Sequence, residues 1–586
     1  MEKISKYKVN KVSVFLKRVT SSRQLPLYLL FIIGGVLRFT NLNWDSYFAF
    51  HPDERNISWA ITRIRFFDRL NPQFFAYGGL PIYLYRALGE SVVYFTHDAT
   101  WLADWGKIAV IGRTVSAILS SISILLLYRV GKLYFSPTVG LLAAFLLAVS
   151  PWAIREAHFA TTETMLVFFL LLLLLLSHRL ITAGSLATAS ILGLIQGLAL
   201  AAKTTSLLFA VIPLAALTLA SFHKTSRRLI SVFIFLVVAG ATFLLFSPYT
   251  ILDFAKFQQS MRYETGVTIG RFTVPYTLQF LGTTPYLYQL TTMLWQAGVV
   301  APLGAIGILF ILINVCGEAC RSQRWPWPWH KRLYKQLAVW TLAIARPRHA
   351  DLSAPIIFLI FPLLYFAWSG SWFAKFARYN IPFLPFLTLS AAWLMVNLTG
   401  KLKFVNLLIC FLAIWWGLAN WSIYLQPQTR LAASRWIYQH IPPGSFIFTE
   451  HWNDGLPVGF RGETLPGYPR ELLLAYDPDT PEKTRLLAQN LSHGSFVIFS
   501  TRRIWGTMPR LTSKYPATSR FYQKFLAGEL GYRLVARFTA YPKFLGVTIP
   551  DDSAEETIQV FDHPTVLIFQ NTEKFTLEEI MARLKK

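Results

Sequence analysis

Apolar residues fall into long uninterrupted windows separated by short basic loops, a spacing that predicts membrane-crossing helices rather than a soluble core. The windows lie near 25–41, 108–128, 137–152, 164–180, 187–202, 206–221, 229–247, 289–315, 354–369, 379–397 and 404–424. A crossing needs about 20 apolar residues, so the pattern predicts about eleven spans, those at 187–202 and 206–221 being short. Two stretches depart from it. In the loop 42–106, Trp59, Phe66, Phe67, Trp101 and Trp105 are interleaved with Arg55, Arg63, Arg65 and Arg69, a mixture suited to short helices lying in a membrane interface. From about residue 425 the chain turns to mixed charge, with turn signals at Pro442-Pro443-Gly444 and Asp477-Pro478-Asp479. Apolar runs at 445–448, 495–500, 533–538 and 565–569 predict buried strands, and helical patterns at 430–440, 481–490 and 519–529 lie between some of them. Strands alternating with helices predict a small α/β domain. It has no glycine-rich phosphate loop, so nucleotide binding is not expected. The expected fold is a polytopic α-helical membrane protein, with a transmembrane domain over 1–424 and a C-terminal extracytoplasmic α/β domain over 425–586.

Composition sharpens this reading. With 54% apolar and 15% charged residues, and a mean hydropathy of +0.42, the chain is too apolar for a soluble protein of its length. A net charge of +26 would point to nucleic acid in a soluble chain. Here the basic residues gather in alternate loops, and no nucleic-acid partner is expected. Lys3, Lys6, Lys8, Lys11, Lys17 and Arg18 fall on one side. Arg129, Lys132, Arg179, Lys224, Arg227, Arg228, the cluster from Arg321 to Arg348, Lys401 and Lys403 fall there too. That side is read as cytoplasmic, with attraction to anionic membrane lipid. An odd number of spans then places the tail outside. The run Trp-Pro-Trp-Pro-Trp-His at 325–330 reads as an interfacial turn on the cytoplasmic face. Cys316, Cys320 and Cys410 give neither a disulfide framework nor metal-finger spacing. No small-residue cleavage site precedes Trp44, so the first window reads as an uncleaved span.

Charged residues recur at the predicted outer ends of the spans. Asp53 and Glu54 follow the first window in Phe50-His51-Pro52-Asp53-Glu54-Arg55. Arg155, Glu156, His158 and Glu163 cluster at the next outer loop. Lys203 stands in Ala201-Ala202-Lys203-Thr204-Thr205, and Arg378 precedes Tyr379 in Lys375-Phe376-Ala377-Arg378-Tyr379-Asn380-Ile381-Pro382. A boundary cation alone is more often an anchor whose head group reaches water. Acids and cations recurring on one face point to a shared site, because charge at membrane depth is costly to keep. Both signs have a use if a sugar leaves a polyprenyl phosphate. The departing phosphate needs lysine or arginine, and the incoming hydroxyl needs a carboxylate base. His51, Asp53, His158 and Glu163 form a nitrogen–oxygen set of metal-binding type. Spacing does not show that they converge, so a divalent metal is left open and no cofactor is required.

These motifs resemble the lipid-carrier-dependent glycosyltransferases of the GT-C fold, which include the protein O-mannosyltransferases and the lipid A aminoarabinose transferase. The carriers of the likeness are the Asp53-Glu54 loop, the cluster ending at Glu163, Gly197-Leu198-Ala199 followed by Lys203, and Arg378-Tyr379 followed by Pro382. The His51-Pro52-Asp53-Glu54 form is similar to a bacterial and archaeal branch. The resemblance spans most of residues 25–400. It implies Asp53 as general base with Glu54 supporting it, and Lys203 and Arg378 as ligands of the donor phosphate. Arg155, His158, Glu163 and Tyr379 would line the substrate. The implied reaction moves a sugar, with inversion, from a polyprenyl-phosphate donor to a lipid, glycan or protein acceptor on the extracytoplasmic side. Two departures stand out. Glu163 occupies a position where aspartate is more usual, and Tyr77-Gly78-Gly79-Leu80-Pro81 lacks the lysine of the aminoarabinose enzymes, which counts against lipid A as acceptor. A transporter or flippase is a rival, but the sequence shows no inverted repeat and no paired broken helices. A non-catalytic envelope-assembly protein is another, with no use for Asp53.

Overall fold

Helices occupy the apolar windows. The structure, a computed structural model, describes residues 24–220, 222, 224–321, 352–397 and 402–585. The turn expected at 325–330 and nearly all of the basic cluster around it lie outside the described residues. Six described helices are long and apolar enough to cross a membrane. A seventh crossing forms if the bent pair Pro137–Ala148 and Pro151–Ala157 is one span. Leu25–Phe39, Leu186–Ala202, Thr204–Leu219 and Ser353–Ser369 are shorter apolar helices that fill the other windows.

Two windows are broken, which the sequence pattern does not reveal. The chain bends by 56° between Ala148 and Pro151. Pro151 has no N–H to continue the ladder, and the Ser150 hydroxyl caps the next helix by accepting from the Ala153 N–H. The freed carbonyls of Leu147 and Ala148 accept from the guanidinium of Arg38 at 2.8 and 2.9 Å, and Arg38 Nε also donates to Ser120 Oγ at 2.7 Å. A fully buried arginine thus serves as a helix cap. The window at 289–315 divides into Leu287–Ala297 and Val300–Arg321. Gly298 between them has φ +56, a left-handed conformation that glycine adopts without steric cost.

Between the windows at 229–247 and 289–315 the structure holds an outer segment the sequence reading does not separate. It carries the helix Phe254–Thr268 and meets the first outer loop where Asn71 donates to Asp253 at 3.0 Å. The first outer loop is helical, with Pro52–Thr62, Gly79–Thr96 and a 3-10 turn at Ala99–Leu102. Arg113, on the helix Trp105–Tyr134, ties the start of this loop to the bundle. Its guanidinium is fully buried, donates to both oxygens of Asp45 (2.9 and 2.7 Å) and of Glu54 (2.9 and 2.6 Å), and reaches the Leu42 carbonyl at 2.9 Å.

The C-terminal region holds a five-stranded sheet in the order β2-β1-β3-β7-β4. Its strands are β1 (Ile447–Glu450), β2 (Arg470–Leu473), β3 (Phe496–Phe499), β4 (Tyr532–Phe538) and β7 (Val566–Asn571), and β5 (Lys543–Phe544) with β6 (Val547–Thr548) form a separate hairpin. β1 is parallel to β2 and β3, while β7 is antiparallel to β3 and β4. Both faces of the central strands are covered. Phe448, Val497, Phe499, Leu567 and Phe569 pack beneath Pro481–His493, Pro516–Leu526 and Leu577–Lys585. Ile447, Phe496, Ile498, Val566 and Ile568 pack against Ala433 and Ile437 of Thr429–His440. Such two-sided burial explains why β1, β3 and β7 read as continuous apolar runs. The edge strand β2 is mostly exposed and carries no such signal.

The tail is fastened to the membrane part by a buried polar latch. The Tyr424 hydroxyl donates to Asp562 at 2.9 Å, Arg155 lies 3.6 Å from Asp562 and donates to the Thr557 carbonyl, and His563 is held by Asp562 (2.6 Å) and Asp551 (2.7 Å). Burial alone would lower the His563 imidazole, but Asp562 and Asp551 raise it to about 10. A histidine raised in the folded state stabilises fully below its unfolded value of 6.5, and the contribution fades as pH rises toward about 10. Thermal unfolding in detergent should therefore show a stability loss between these values, and His563→Asn should flatten that decline. Arg113→Met should cost about 3–5 kcal/mol, because it leaves two buried carboxylates without a counter-ion; a melting temperature equal to the parent's would contradict this.

Candidate active site

The local geometry of one helix start separates the two acids of the first outer loop. His51 caps Pro52–Thr62, its Nδ1 accepting from the Asp53 N–H at 3.2 Å. Pro52 fits the first helical position, and the helix dipole favours acids in the first turn. Successive helical residues point roughly 100° apart, so Asp53 and Glu54 face different surroundings. Glu54 turns into the bundle, fully buried, with Arg113 on both oxygens and the Ala160 N–H donating to Oε1 at 2.7 Å. Expected beside Asp53 in a catalytic pair, it is instead a sealed structural counter-ion. Asp53 turns the other way and pairs with Arg378.

A second acid–cation pair stands nearby. Glu163 opens the helix Glu163–Ala183, and Lys203 closes Leu186–Ala202. Each sits at the helix end whose dipole favours its charge. Lys203 Nζ donates to Glu163 Oε1 at 2.8 Å, while Glu163 Oε2 and Arg378 Nε have no hydrogen-bond partner. Tyr379 lies between the two cations, its ring 5.8 Å from Lys203 Nζ and 5.8 Å from the Arg378 guanidinium.

Two glycines bring Tyr77 over the same lysine, with Nζ 5.4 Å from its ring. The Gly78 N–H donates to the Ala202 carbonyl at 3.1 Å, and a Cβ at Gly78 would lie 1.9 Å from the Ala201 oxygen. Gly79 N–H donates to Ser247 Oγ at 2.9 Å, and a Cβ there would lie 2.2 Å from the Phe246 oxygen. The stretch that lacks the expected lysine is thus a backbone crossing that only glycine permits. Burial, and then the charge of Asp53, push the Tyr77 hydroxyl well above its usual value, so it remains protonated. Glu264, on the helix Phe254–Thr268, is a further acid of the cluster. Burial pushes its carboxyl up, and Arg378 and Lys203 partly offset the shift. Only its place in a polar helix between two apolar windows could have flagged it.

Arg155 and His158 are not brought to this cluster. Arg155 belongs to the latch of the tail. His158 is fully buried, with Nδ1 2.8 Å from the Ile154 carbonyl and Nε2 2.8 Å from the Thr40 carbonyl, and its ring stacks on Tyr424 at 3.6 Å. Its ring nitrogens are therefore taken, and the set His51, Asp53, His158 and Glu163 does not assemble. Among the described residues, no three His, Cys, Asp or Glu side chains form a metal-binding group. Beside the cluster runs a narrow, largely apolar crevice with a volume of about 20 Å³, lined by Pro72, Phe74, Phe75, Tyr77, Thr204 and Phe257 among others. Tyr77 borders both, and Thr204 follows Lys203 directly.

The family model described as dolichyl-phosphate-mannose-protein mannosyltransferase matches residues 100–252. No curated protein matches the chain in sequence. Among solved structures, the chain is similar to the oligosaccharyltransferase of Archaeoglobus fulgidus in its apo form, at 12% identity over 93% of this chain and 88% of that one, with a TM-score of 0.50. It is also similar to ArnT from Cupriavidus metallidurans bound to undecaprenyl phosphate, at 12% identity over 93% and 98% of the two chains, with a TM-score of 0.43. The chain has the fold of the Archaeoglobus fulgidus oligosaccharyltransferase, and the family-model match over residues 100–252 agrees with the resemblance carried by its motifs.

Proposed function

We propose that this chain is a membrane glycosyltransferase that moves one sugar from a polyprenyl-phosphate donor to an acceptor hydroxyl on the extracytoplasmic side, inverting the anomeric carbon. The observation that carries the reading is the convergence of two acid–cation pairs, Asp53–Arg378 and Glu163–Lys203, beside an apolar crevice. A phosphate matches the two cations, and the apolar walls beside them suit the start of a polyprenyl chain. The description of the matching family model, which names a dolichyl-phosphate-linked sugar, agrees with this donor class.

Without substrate, each cation is balanced by a carboxylate. A donor phosphate competes for Arg378 and Lys203, and its arrival loosens Asp53 from Arg378. Asp53 is then free to accept a hydrogen bond from the acceptor hydroxyl. As that oxygen attacks the anomeric carbon, its proton passes to Asp53. The bond from carbon to phosphate oxygen breaks, and polyprenyl phosphate departs with the electron pair, its charge held by the two cations. Glu163 keeps Lys203 in place, and Tyr77 and Tyr379 wall the space between the pairs. On the positive-inside rule the N-terminus is cytoplasmic, and the α/β domain from 425 onward stands outside.

Asp53→Asn retains shape but cannot take the proton, and transfer in liposomes should fall by about 10²–10⁴ while the protein stays monodisperse. Retention of near-parental transfer would move the base to another acid of the cluster, Glu163 or Glu264. Arg378→Lys replaces a planar fork with a point charge. It should raise the donor concentration needed for half-maximal transfer, with Lys203→Ala doing the same and neither altering acceptor choice. Superimposable donor curves for the parent and both variants would remove the phosphate role.

A further inference from the structure

A second cavity lies where the tail meets the first outer loop. It offers about 270 Å³, close to the lower end of the range of about 300–1,000 Å³ typical of ligand sites. On the tail side it is lined by the loops that follow β1 and β3, through Asn453, Asp454 and Arg503. These two strands are parallel neighbours, and the chain leaves β1 for β2 on one side while β3 lies on the other. The crevice outside the carboxyl ends of strands at such a reversal is where open α/β sheets bind ligands. On the membrane side it is lined by Pro52 and Arg55, which flank Asp53 in the same helical turn.

The lining is polar and carries more positive than negative charge. Arg55, Arg430 and Arg503 face it, with Asp454 as the lining acid. Asp454 pairs with Arg55 at 2.5 Å and stands 3.6 Å from Arg430 Nε. Glu556 pairs with Arg503 at 2.9 Å. Arg430 is only 2% exposed, and its Nε lacks a hydrogen-bond partner although the rest of its guanidinium is bound to the Val560 and Phe561 carbonyls. A buried guanidinium with an unfilled donor in a polar cavity calls for an acceptor atom from a ligand. Trp452 also lines the space and is half exposed, a broad apolar surface of the kind on which a sugar ring packs.

We propose that this cavity is the acceptor subsite and takes a glycan bearing an anionic group, a carboxylate or a phosphate, on the sugar that enters it. The proposal rests on the glycosyl-transfer reading and gives it a substrate class. Arg430 and Arg503 hold the anion, Trp452 supports the ring, and the helical turn shared by Pro52, Asp53 and Arg55 carries the base to its edge. A peptide acceptor is disfavoured, because the lining offers no unpaired strand edge and no apolar pockets for successive side chains.

The test is direct binding to the full chain in detergent micelles, without donor, so that it is independent of turnover. The probes are a glucuronate-containing tetrasaccharide, a mannose 6-phosphate oligosaccharide, a neutral glucose tetrasaccharide and an oligoglutamate peptide. At least one of the two anionic glycans should bind, and the one that does identifies carboxylate or phosphate as the source of the charge. Arg503→Gln should weaken it about tenfold to hundredfold, as expected for loss of a hydrogen bond to a charged group. Trp452→Ala, at a half-exposed position that the fold does not need, should weaken the glycan severalfold. Equal binding of the neutral tetrasaccharide, tighter binding of the peptide, no binding by any glycan, or unchanged affinity in both Arg503→Gln and Trp452→Ala would each overturn the subsite. Those results would leave the donor dependence on Arg378 and Lys203 untouched, so failure of the subsite and failure of the transfer reading are separable.

Discussion

A charge carried into an apolar bundle must find its opposite or a set of dipoles, and that constraint organises this protein. Arg38, Arg113, Lys203 and Arg378 all stand on or beside membrane helices, and each is answered differently. Arg38 takes the carbonyls released by a broken helix. Arg113 takes two carboxylates from the outer loop, and so fixes where residues 42–54 begin and which way Glu54 faces. These two are sealed, with no exposed surface. Lys203 and Arg378 are answered by one carboxylate each, and their pairs keep some exposure. The distinction between sealed and open pairs separates charges that hold the fold from charges that can exchange partners.

The same constraint explains what could be read from the sequence. Long apolar windows register because lipid tolerates few interruptions, and the described windows are helical. Breaks at Gly298 and Pro151 escape a hydropathy reading, since a single residue changes the backbone without changing the mean. Strands β1, β3 and β7 were legible because both faces are buried. The run at 533–538, expected as a buried strand, forms β4, an edge strand that is mostly exposed. The short edge strand β2, the two-residue strands β5 and β6, and the helix Leu577–Lys585 were not legible, because their residues form no apolar run. Among site residues, Asp53, Glu163, Lys203, Arg378 and Tyr379 come together as the sequence led one to expect. Arg155 and His158 sit in an equally polar cluster, yet their roles depend on the tail, which no local spacing could indicate. Glu54, expected to support Asp53 beside it, instead faces away into the bundle. Adjacency in sequence looks like a pair, but at a helix start neighbouring residues diverge by roughly a quarter turn.

That divergence has a mechanical consequence. Glu54 anchors the first turn of Pro52–Thr62 to the bundle through Arg113 and Ala160, and His51 packs between Phe159 and Phe561 at 4.7 and 4.0 Å. Asp53 is therefore presented by a turn clamped on both sides. A carboxylate held in this way has little conformational freedom to lose when a hydroxyl approaches, which is how preorganisation lowers a barrier. In the proposed reaction the partner that gives way is the cation, whose long side chain follows the phosphate while the acid stays in place.

The position of that turn also accounts for the placement of the tail. On one side of it lies Tyr77, which borders the apolar crevice, and on the other lie Pro52, Arg55 and the polar cavity at the ends of β1 and β3. In the proposed reaction a donor with a long apolar chain and a hydrophilic acceptor have opposite solvation needs, and two spaces of opposite character suit them better than one. The latch of Arg155, Tyr424, Asp562 and His563 holds the tail side of the polar cavity against the bundle. Arg155 and His158, which the sequence reading placed among the substrate contacts, thus serve to seat the tail on the bundle.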